Sequence, residues 1–311
     1  MIPLIITISI IAFLIVLFWL AIILLYLFVY HSPRIGQISD SNLIASKNYQ
    51  RYTDKMKTLI NKLMARPYED VYISSFDKTR LHARFYERKA TNKVAILCHG
   101  YRGTAYRDFC GGANEILDMG YNLLLIDERA HGLSKGHSIT FGIKESKDLL
   151  CWIDYIKERL GADIDLLLVG VSMGGHTVLS VSDKVDKDVK IIADSPYSSP
   201  KAILVNSIKV AKLPVWLFYP LLNISAIIFT HKNMSKTSAY DSIRNSDNKI
   251  LIIHGDRDEV VPYTDSQKLA ASFPDKIQYE LFPNATHGES YLEDTLRYQQ
   301  IIAKFINYEE K

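Results

Sequence analysis

The first pattern along the chain is an apolar run. From Ile2 to Tyr30 there is no charged side chain, and most positions are Ile, Leu, Val or Phe. A helix needs ~20 such residues to cross a bilayer's hydrocarbon core, so the run is long enough to span with some tilt. Trp19, Tyr26 and Tyr30 are candidates for interfacial anchoring. No basic residue precedes the run, no Ala-x-Ala site precedes His31, and the run is too long for the apolar region of a secretory signal. The pattern predicts one uncleaved membrane anchor over residues 1–30. Residues 31–66 are polar and basic. Leu43, Tyr49, Tyr52, Met56, Leu59, Ile60 and Leu63 recur near helical spacing, which predicts a juxtamembrane helix ending at Pro67.

From residue 67 the periodicity changes. Val71–Ser75 and Leu81–Tyr86 alternate around Asp77-Lys78 and predict a hairpin. Buried strands are then expected at Val94–Cys98, Asn122–Asp127, Leu166–Val169, Val189–Ala193, Ile250–Ile253 and Gln278–Phe282. Helical patterns separate them, over about Tyr106–Asp118, Ile143–Leu160, Met173–Val185 and finally Ser290–Ile306. Strand-helix alternation predicts an α/β fold with a mostly parallel, doubly wound sheet of about eight strands across residues 67–311. One interval breaks the rhythm. Residues 195–248 show no strand but two strongly apolar stretches, Ala202–Val205 and Leu213–Leu222, and predict a helical lid inserted into the domain.

Composition narrows the function classes. A net charge of +3, with basic and acidic residues interspersed, gives no footprint for nucleic acid. Arg34, Lys47, Arg51, Lys55 and Lys57 follow the apolar run while only the terminal amine precedes it, which places the domain on the cytoplasmic side of the cell membrane. Three cysteines, Cys98, Cys110 and Cys151, cannot form a complete disulfide set and favour a reducing compartment. The histidines lack ligand-like pairing with each other or with cysteine, and no phosphate-cradling loop adjoins a strand. Neither metal nor cofactor is expected.

The candidate chemistry centres on Gly170-x-Ser172-x-Gly174, which follows an aliphatic strand and opens a helix. That context makes a nucleophile elbow, in which small neighbours let strand and helix approach while serine stands at the turn. Serine needs a base within hydrogen-bond reach, and the base needs an acid that fixes its tautomer. His287 alone among nine histidines follows the last strand directly and is the candidate base. Asp258, in His254-Gly255-Asp256-Arg257-Asp258, is the candidate acid. Asp194, which ends the strand beside the elbow, competes for that role, and Asp256 is read as a turn former. Both loops lie at carboxyl ends of strands, where open α/β sheets bind ligands. Oxyanion donors would be the backbone amides of Met173 and of Tyr101, in His99-Gly100-Tyr101-Arg102-Gly103. His99 is read as a loop-ordering residue, and His176 as a packing or capping one.

These motifs, in this order over residues 70–308, resemble the α/β-hydrolase superfamily in its serine-nucleophile branch. Asp127-x-Arg129-Ala130-His131-Gly132-x-Ser134-x-Gly136 is similar to that family's Asp-x-Arg-Gly-His-Gly-x-Ser loop, with Ala130 replacing the usual glycine. Together with Ile139–Gly142 and Asp148-x-x-x-Trp152, it looks most like membrane-anchored bacterial hydrolases of the Bem46 group. The resemblance implies a cofactor-free serine hydrolase acting on a carboxylic ester or lipid acyl group through a Ser172-Asp258-His287 triad. Peptidase, amidase and thioesterase chemistry on the same fold are the alternatives. A catalytically silent, membrane-tethered binding or scaffold protein is the alternative from another class. Aspartate would occupy the Ser172 position in an epoxide hydrolase or haloalkane dehalogenase, which argues against both.

Overall fold

The computed structural model describes residues 2–32, 47–88 and 91–307. Its strands are β1 (Glu69–Ser74), β2 (Arg80–Tyr86), β3 (Lys93–Cys98), β4 (Asn122–Asp127), β5 (Asp165–Val171), β6 (Lys190–Asp194), β7 (Ile250–Gly255) and β8 (Ile277–Phe282). Its helices are α1 (Ile2–Leu25), α2 (Thr53–Met64), α3 (Ala105–Asp108), α4 (Gly112–Asp118), α5 (Glu145–Leu160), α6 (Met173–Leu179), α7 (Pro200–Val210), α8 (Val215–Thr230), α9 (Ala239–Arg244), α10 (Tyr263–Ser272), α11 (Ser290–Glu293) and α12 (Thr295–Ile306).

The eight strands form one sheet in the order β1-β2-β4-β3-β5-β6-β7-β8. Only β1–β2 and β2–β4 pair antiparallel. The remaining pairs are parallel, as the buried aliphatic runs separated by helices require. This is the α/β-hydrolase fold expected from the sequence. Alternate residues of each strand feed opposite faces. Leu97, Leu125, Leu167 and Ile192 pack with α2, α4 and α12 on one side. Ile96, Leu124, Leu168 and Ile191 pack with α5, α6 and α10 on the other. Strand order reverses at β3, so a crevice opens beyond the carboxyl ends of β3 and β5, the usual site of ligands in such sheets.

Several helices are shorter than their periodicity suggests. The pattern over Tyr106–Asp118 is divided between α3 and α4, and the elbow helix stops at Leu179 instead of continuing to Val185. The final helix is also divided, because the Asp294 side chain accepts from the Arg297 amide and caps a new start. Of the juxtamembrane segment expected over 31–66, residues 31–32 and 47–66 are described. His31 is extended and bridges Ser138. Helical structure resumes with a 3₁₀ turn at Lys47–Tyr52 that leads into α2. Leu43 lies outside the described residues. Within α2, Met56, Ile60 and Leu63 are buried against the domain.

The helix α1 continues as a π turn, Tyr26–Tyr30. Residues 2–20 are exposed and mostly apolar, whereas Ile22 and Tyr30 are fully buried. The interval between β6 and β7 holds α7, α8 and α9 and no strand. A third apolar cluster joins Tyr30, Phe141, Met173, Tyr197, Ile208 and Leu222, tying the end of α1 and the insertion to the elbow.

Candidate active site

The turn after β5 needs two glycines because backbones meet there. A Cβ on Gly174 would fall on the Cys98 carbonyl group of the neighbouring strand, and one on Gly170 would fall on the backbone at Gly174 and Gly175. Between them Ser172 adopts φ 56° and ψ −111°, a region L-residues seldom occupy and that persists where surroundings enforce it. The enforcing bonds run both ways: the Ser172 amide donates to the Asp194 carbonyl at 2.8 Å, and the His176 amide donates to the Ser172 carbonyl at 3.0 Å. Ser172 Oγ thus stands over the amino end of α6 in the crevice.

His287 enters from the loop after β8. Its Nε2 lies 2.9 Å from Ser172 Oγ, and its Nδ1 lies 2.7 Å from Asp258 Oδ2. Asp258 sits beyond β7, and its carboxylate is saturated with donors. Oδ1 accepts the amides of Val260 at 2.9 Å and Val261 at 2.8 Å, while Oδ2 also meets His254 Nε2 at 3.1 Å. His254 Nε2 faces two acceptors, Asp258 Oδ2 and the Val261 carbonyl, so that nitrogen carries a proton. Its other nitrogen lies 2.8 Å from Ser266 Oγ. Burial alone would raise the Asp258 pKa, but the charge of His287 and the hydrogen bonds from both imidazoles hold it well below the usual carboxylate range. Burial pulls the His287 pKa down, and the charge and hydrogen bond of Asp258 outweigh it, so the net shift is upward.

The competing acid, Asp194, is buried at the end of β6, where its Oδ1 accepts from Ser195 Oγ at 3.0 Å. It makes no hydrogen bond to His287, and burial pushes its pKa up to about 6. Asp256 shapes the turn as expected, its Oδ1 accepting the Asn284 amide at 2.7 Å. His176 is a packing residue: it stacks on Tyr197 with centroids 5.0 Å apart and its Nδ1 donates to the Tyr197 carbonyl at 3.1 Å.

The loop after β3 lies against the elbow; a Cβ on Gly100 would come 3.3 Å from the Ser172 Cβ. Among the described residues, the amides of Tyr101 and Met173 donate to no protein acceptor. Three side chains hold this loop. His99 Nδ1 donates to the Gly100 carbonyl at 2.8 Å while its Nε2 accepts the Glu128 amide at 3.0 Å. His131 Nε2 accepts the Arg102 amide at 3.0 Å. Asp108 Oδ2 accepts the Gly100 amide at 2.8 Å. His99 is therefore the loop-ordering residue expected. The positioning roles of Asp108 and His131 were not read from the sequence; His131 lies in the recognised Asp127–Gly136 motif, whereas Asp108 carries no local signal.

A cavity of about 430 Å³ reaches Ser172. Its walls are apolar, with Phe141, Tyr197, Ile208, Phe218 and Leu222 from the domain and its insertion, and Leu25 and Val29 from the first helix and the π turn that continues it. Arg102 is the one charged side chain among its described lining residues.

A serine on a strained strand-helix turn, a histidine and a carboxylate behind it, and an eight-stranded mostly parallel sheet define an α/β serine hydrolase. The profile of the serine aminopeptidase S33 family matches residues 89–245, just over half of the chain. The chain belongs to that family. The matched segment contains Ser172 and ends before Asp258 and His287. Among curated relatives, the uncharacterized protein YqkD of Bacillus subtilis is 24% identical over 223 residues, covering 70% of this chain and 72% of its own. The uncharacterized protein YfhR of Salmonella typhimurium is 27% identical over 236 residues, covering 72% and 75%. The α/β-hydrolase domain-containing protein WAV2 of Arabidopsis thaliana is 24% identical over 241 residues, covering 72% and 74%. Among solved structures, the esterase Pf2001 of Pyrococcus furiosus matches with a TM-score of 0.64 and 24% identity, over 79% of this chain and 92% of that one. At that identity the likeness speaks for the fold.

Proposed function

We propose that the chain is a membrane-anchored serine esterase that cleaves an acyl ester through Ser172, His287 and Asp258. What supports this most is one unbroken line of hydrogen bonds, 2.9 Å from Ser172 Oγ to His287 Nε2 and 2.7 Å from His287 Nδ1 to Asp258 Oδ2. In this scheme His287 Nε2 takes the hydroxyl proton as Ser172 Oγ bonds to the ester carbonyl carbon. The resulting oxyanion is held by the amides of Tyr101 and Met173. Collapse expels the alcohol, which leaves with the proton from His287, and an acyl-serine remains. Water, deprotonated by the same imidazole, then attacks the acyl carbon and releases a carboxylic acid, restoring the serine.

The apolar cavity favours an acyl group over a polar one. An amine-terminal substrate, which the family's name would suggest, is disfavoured by the same cavity: an ammonium group calls for a carboxylate, and the charged side chain at hand is Arg102. The reading treats 1–30 as anchor, 31–66 as connecting segment and 67–311 as the hydrolase unit with 195–248 inserted, on the cytoplasmic side. The full-length protein in detergent should hydrolyse p-nitrophenyl butyrate, and Ser172→Ala should reduce kcat by about 10⁶-fold. A fluorophosphonate probe should label the parent and not the variant. Retained turnover in Ser172→Ala, or an unlabelled parent, would remove the assignment and leave a silent scaffold.

A further inference from the structure

The anchor is built into the cavity. A helix end leaves its last carbonyls without intrahelical partners. Here those carbonyls are taken by the loops around the serine. Tyr101 Oη donates to the Val29 carbonyl at 2.8 Å, and Arg102 Nη2 donates to those of Phe28 at 2.7 Å and His31 at 3.1 Å. The Ile139 amide donates to the Tyr30 carbonyl at 2.7 Å. The Arg102 cation also suits the negative end of the helix dipole. Tyr101 and Arg102 belong to the loop proposed to hold the oxyanion.

The insertion grips the same helix. Ser225 Oγ donates to the Ile22 carbonyl at 2.9 Å, Tyr30 Oη donates to the Leu222 carbonyl at 3.2 Å, and Tyr26 stacks on Phe229 with centroids 4.4 Å apart. Residues 215–230, which form α8, include no charged residue. Its side chains Trp216, Leu217 and Ile227 are exposed, Trp216 at 78%, as are the apolar residues of α1 up to Leu20.

Depth follows from length. About 20 helical residues cross the hydrocarbon core, and burial of α1 against the domain begins at Ile22. The last turn of α1 therefore sits where acyl chains meet headgroups. Phe28 is 76% exposed and still lines the cavity that contains Ser172, so it marks the mouth at that level.

We infer that the anchor and α8 together form an acyl-chain gate opening into the bilayer. The substrate is a membrane-resident acyl ester whose chain slides between them while its carbonyl reaches Ser172. Leu25, Phe28 and Val29 then select chain length, and the membrane segment is a specificity determinant as well as a tether. Trp216 and its neighbours hold the mouth against the leaflet.

The inference rests on the esterase assignment above, and the test separates the two. Full-length protein is reconstituted in phosphatidylcholine vesicles, and p-nitrophenyl esters from acetate to laurate are compared. Ser172-dependent turnover of the acetate reports the esterase assignment by itself. Each added methylene should raise kcat/KM about fourfold until the cavity is full. Leu25→Trp, which fills the cavity from the anchor side, should lower the laurate-to-acetate ratio of kcat/KM at least tenfold. Leu14→Trp, on the exposed part of the same helix, should leave that ratio unchanged and controls for the anchor as such. Trp216→Glu should lower turnover of vesicle-borne laurate at least fivefold relative to the same ester supplied as monomer. Fluorophosphonate labelling establishes that each variant is folded. An unchanged chain-length ratio in labelled Leu25→Trp overturns the gate, as does an unchanged vesicle-to-monomer ratio in labelled Trp216→Glu.

Discussion

Asparagine at position 258 tests the acid assignment because the surrounding donors dictate how it must sit. Asp258 Oδ1 accepts two backbone amides, so in Asp258→Asn the amide oxygen must occupy that place. The NH₂ group is then forced to the Oδ2 position, facing His287 Nδ1 and His254 Nε2. His254 Nε2 keeps its proton because the Val261 carbonyl, 3.0 Å away, still accepts it. His287 Nδ1 must become an acceptor, which puts the ring proton on Nε2, facing Ser172. The imidazole in that tautomer cannot take the serine proton. A loss of about 10⁴-fold in kcat is expected, equivalent to about 5 kcal/mol of transition-state stabilisation. The pH profile should move as well. The base works when neutral, so rate falls as pH drops through the His287 pKa. In the parent that pKa lies above the ordinary histidine value because Asp258 outweighs burial; in Asp258→Asn burial is left unopposed by that carboxylate, and the acid limb should shift downward. Asp194→Asn, which touches no triad nitrogen, should cost less than about tenfold. Steady-state hydrolysis of p-nitrophenyl butyrate by the full chain in detergent, followed from about pH 5 to pH 9, reads all three. If Asp194→Asn loses more activity than Asp258→Asn, the acid has been misassigned and the tautomer argument fails.

Two stability changes follow from the same packing. Gly174→Ala drives a methyl group into the Cys98 carbonyl at the strand-helix contact and should destabilise the protein by about 3 kcal/mol or more, seen as a lower thermal midpoint and weak fluorophosphonate labelling. Arg129 binds Asp148 through Nε and Nη2, each at 2.6 Å, with both side chains buried. Burial pushes the Asp148 pKa up to about 6 even with that partner in place. Arg129→Met should therefore destabilise by about 3–5 kcal/mol at pH 8. Losing the Arg129 cation raises the Asp148 pKa further above about 6, so in the variant the carboxyl takes up a proton as pH falls towards 6, and the loss should be smaller at pH 6 than at pH 8. Urea unfolding at the two pH values checks the sign.

The parts of this site that were readable from sequence are those encoded locally. Gly170 declares the elbow because the close approach it permits, to the backbone at Gly174 and Gly175, lies within five residues, whereas the approach of Gly174 to Cys98 on the neighbouring strand has no local signal. His287 and Asp258 could be named as candidates because buried aliphatic strands mark where their loops begin, and the adjoining pairs Asp194–Ile253 and Gly255–Phe282 bring those ends to one level. The choice of Asp258 over Asp194 rested on chain order, whereas in the fold the Asp258 carboxylate meets the His287 imidazole and that of Asp194 meets the Ser195 hydroxyl. Asp108 was invisible because its work is a single bond to an amide eight residues back. Helix breaks at Phe109–Gly111 and Asp294 were hidden by an apolar period that continues through them. The bridge of His31 to Ser138 and the bond from the Ser32 amide to the His137 carbonyl had no signal in the sequence, because apolar spacing does not name a partner a hundred positions away.

Least legible was the union of the first thirty residues with residues 215–230. Each stretch is mostly apolar and free of charged side chains, and such a pattern specifies an environment without naming a neighbour. The partners are chosen by a few polar groups two hundred positions apart, such as the Ser225 hydroxyl on the Ile22 carbonyl. Those groups carry information because the helix end at Tyr26–Tyr30 leaves carbonyls without intrahelical partners, and these must be satisfied from elsewhere. The residues that satisfy them, Tyr101 and Arg102, are fixed on their other side by the loop that faces Ser172. A helix that only tethered the domain would leave its last carbonyls to water and headgroups. In this chain they are bonded to the loop beside Ser172, so the position of the first helix and the geometry of the site are set by the same bonds.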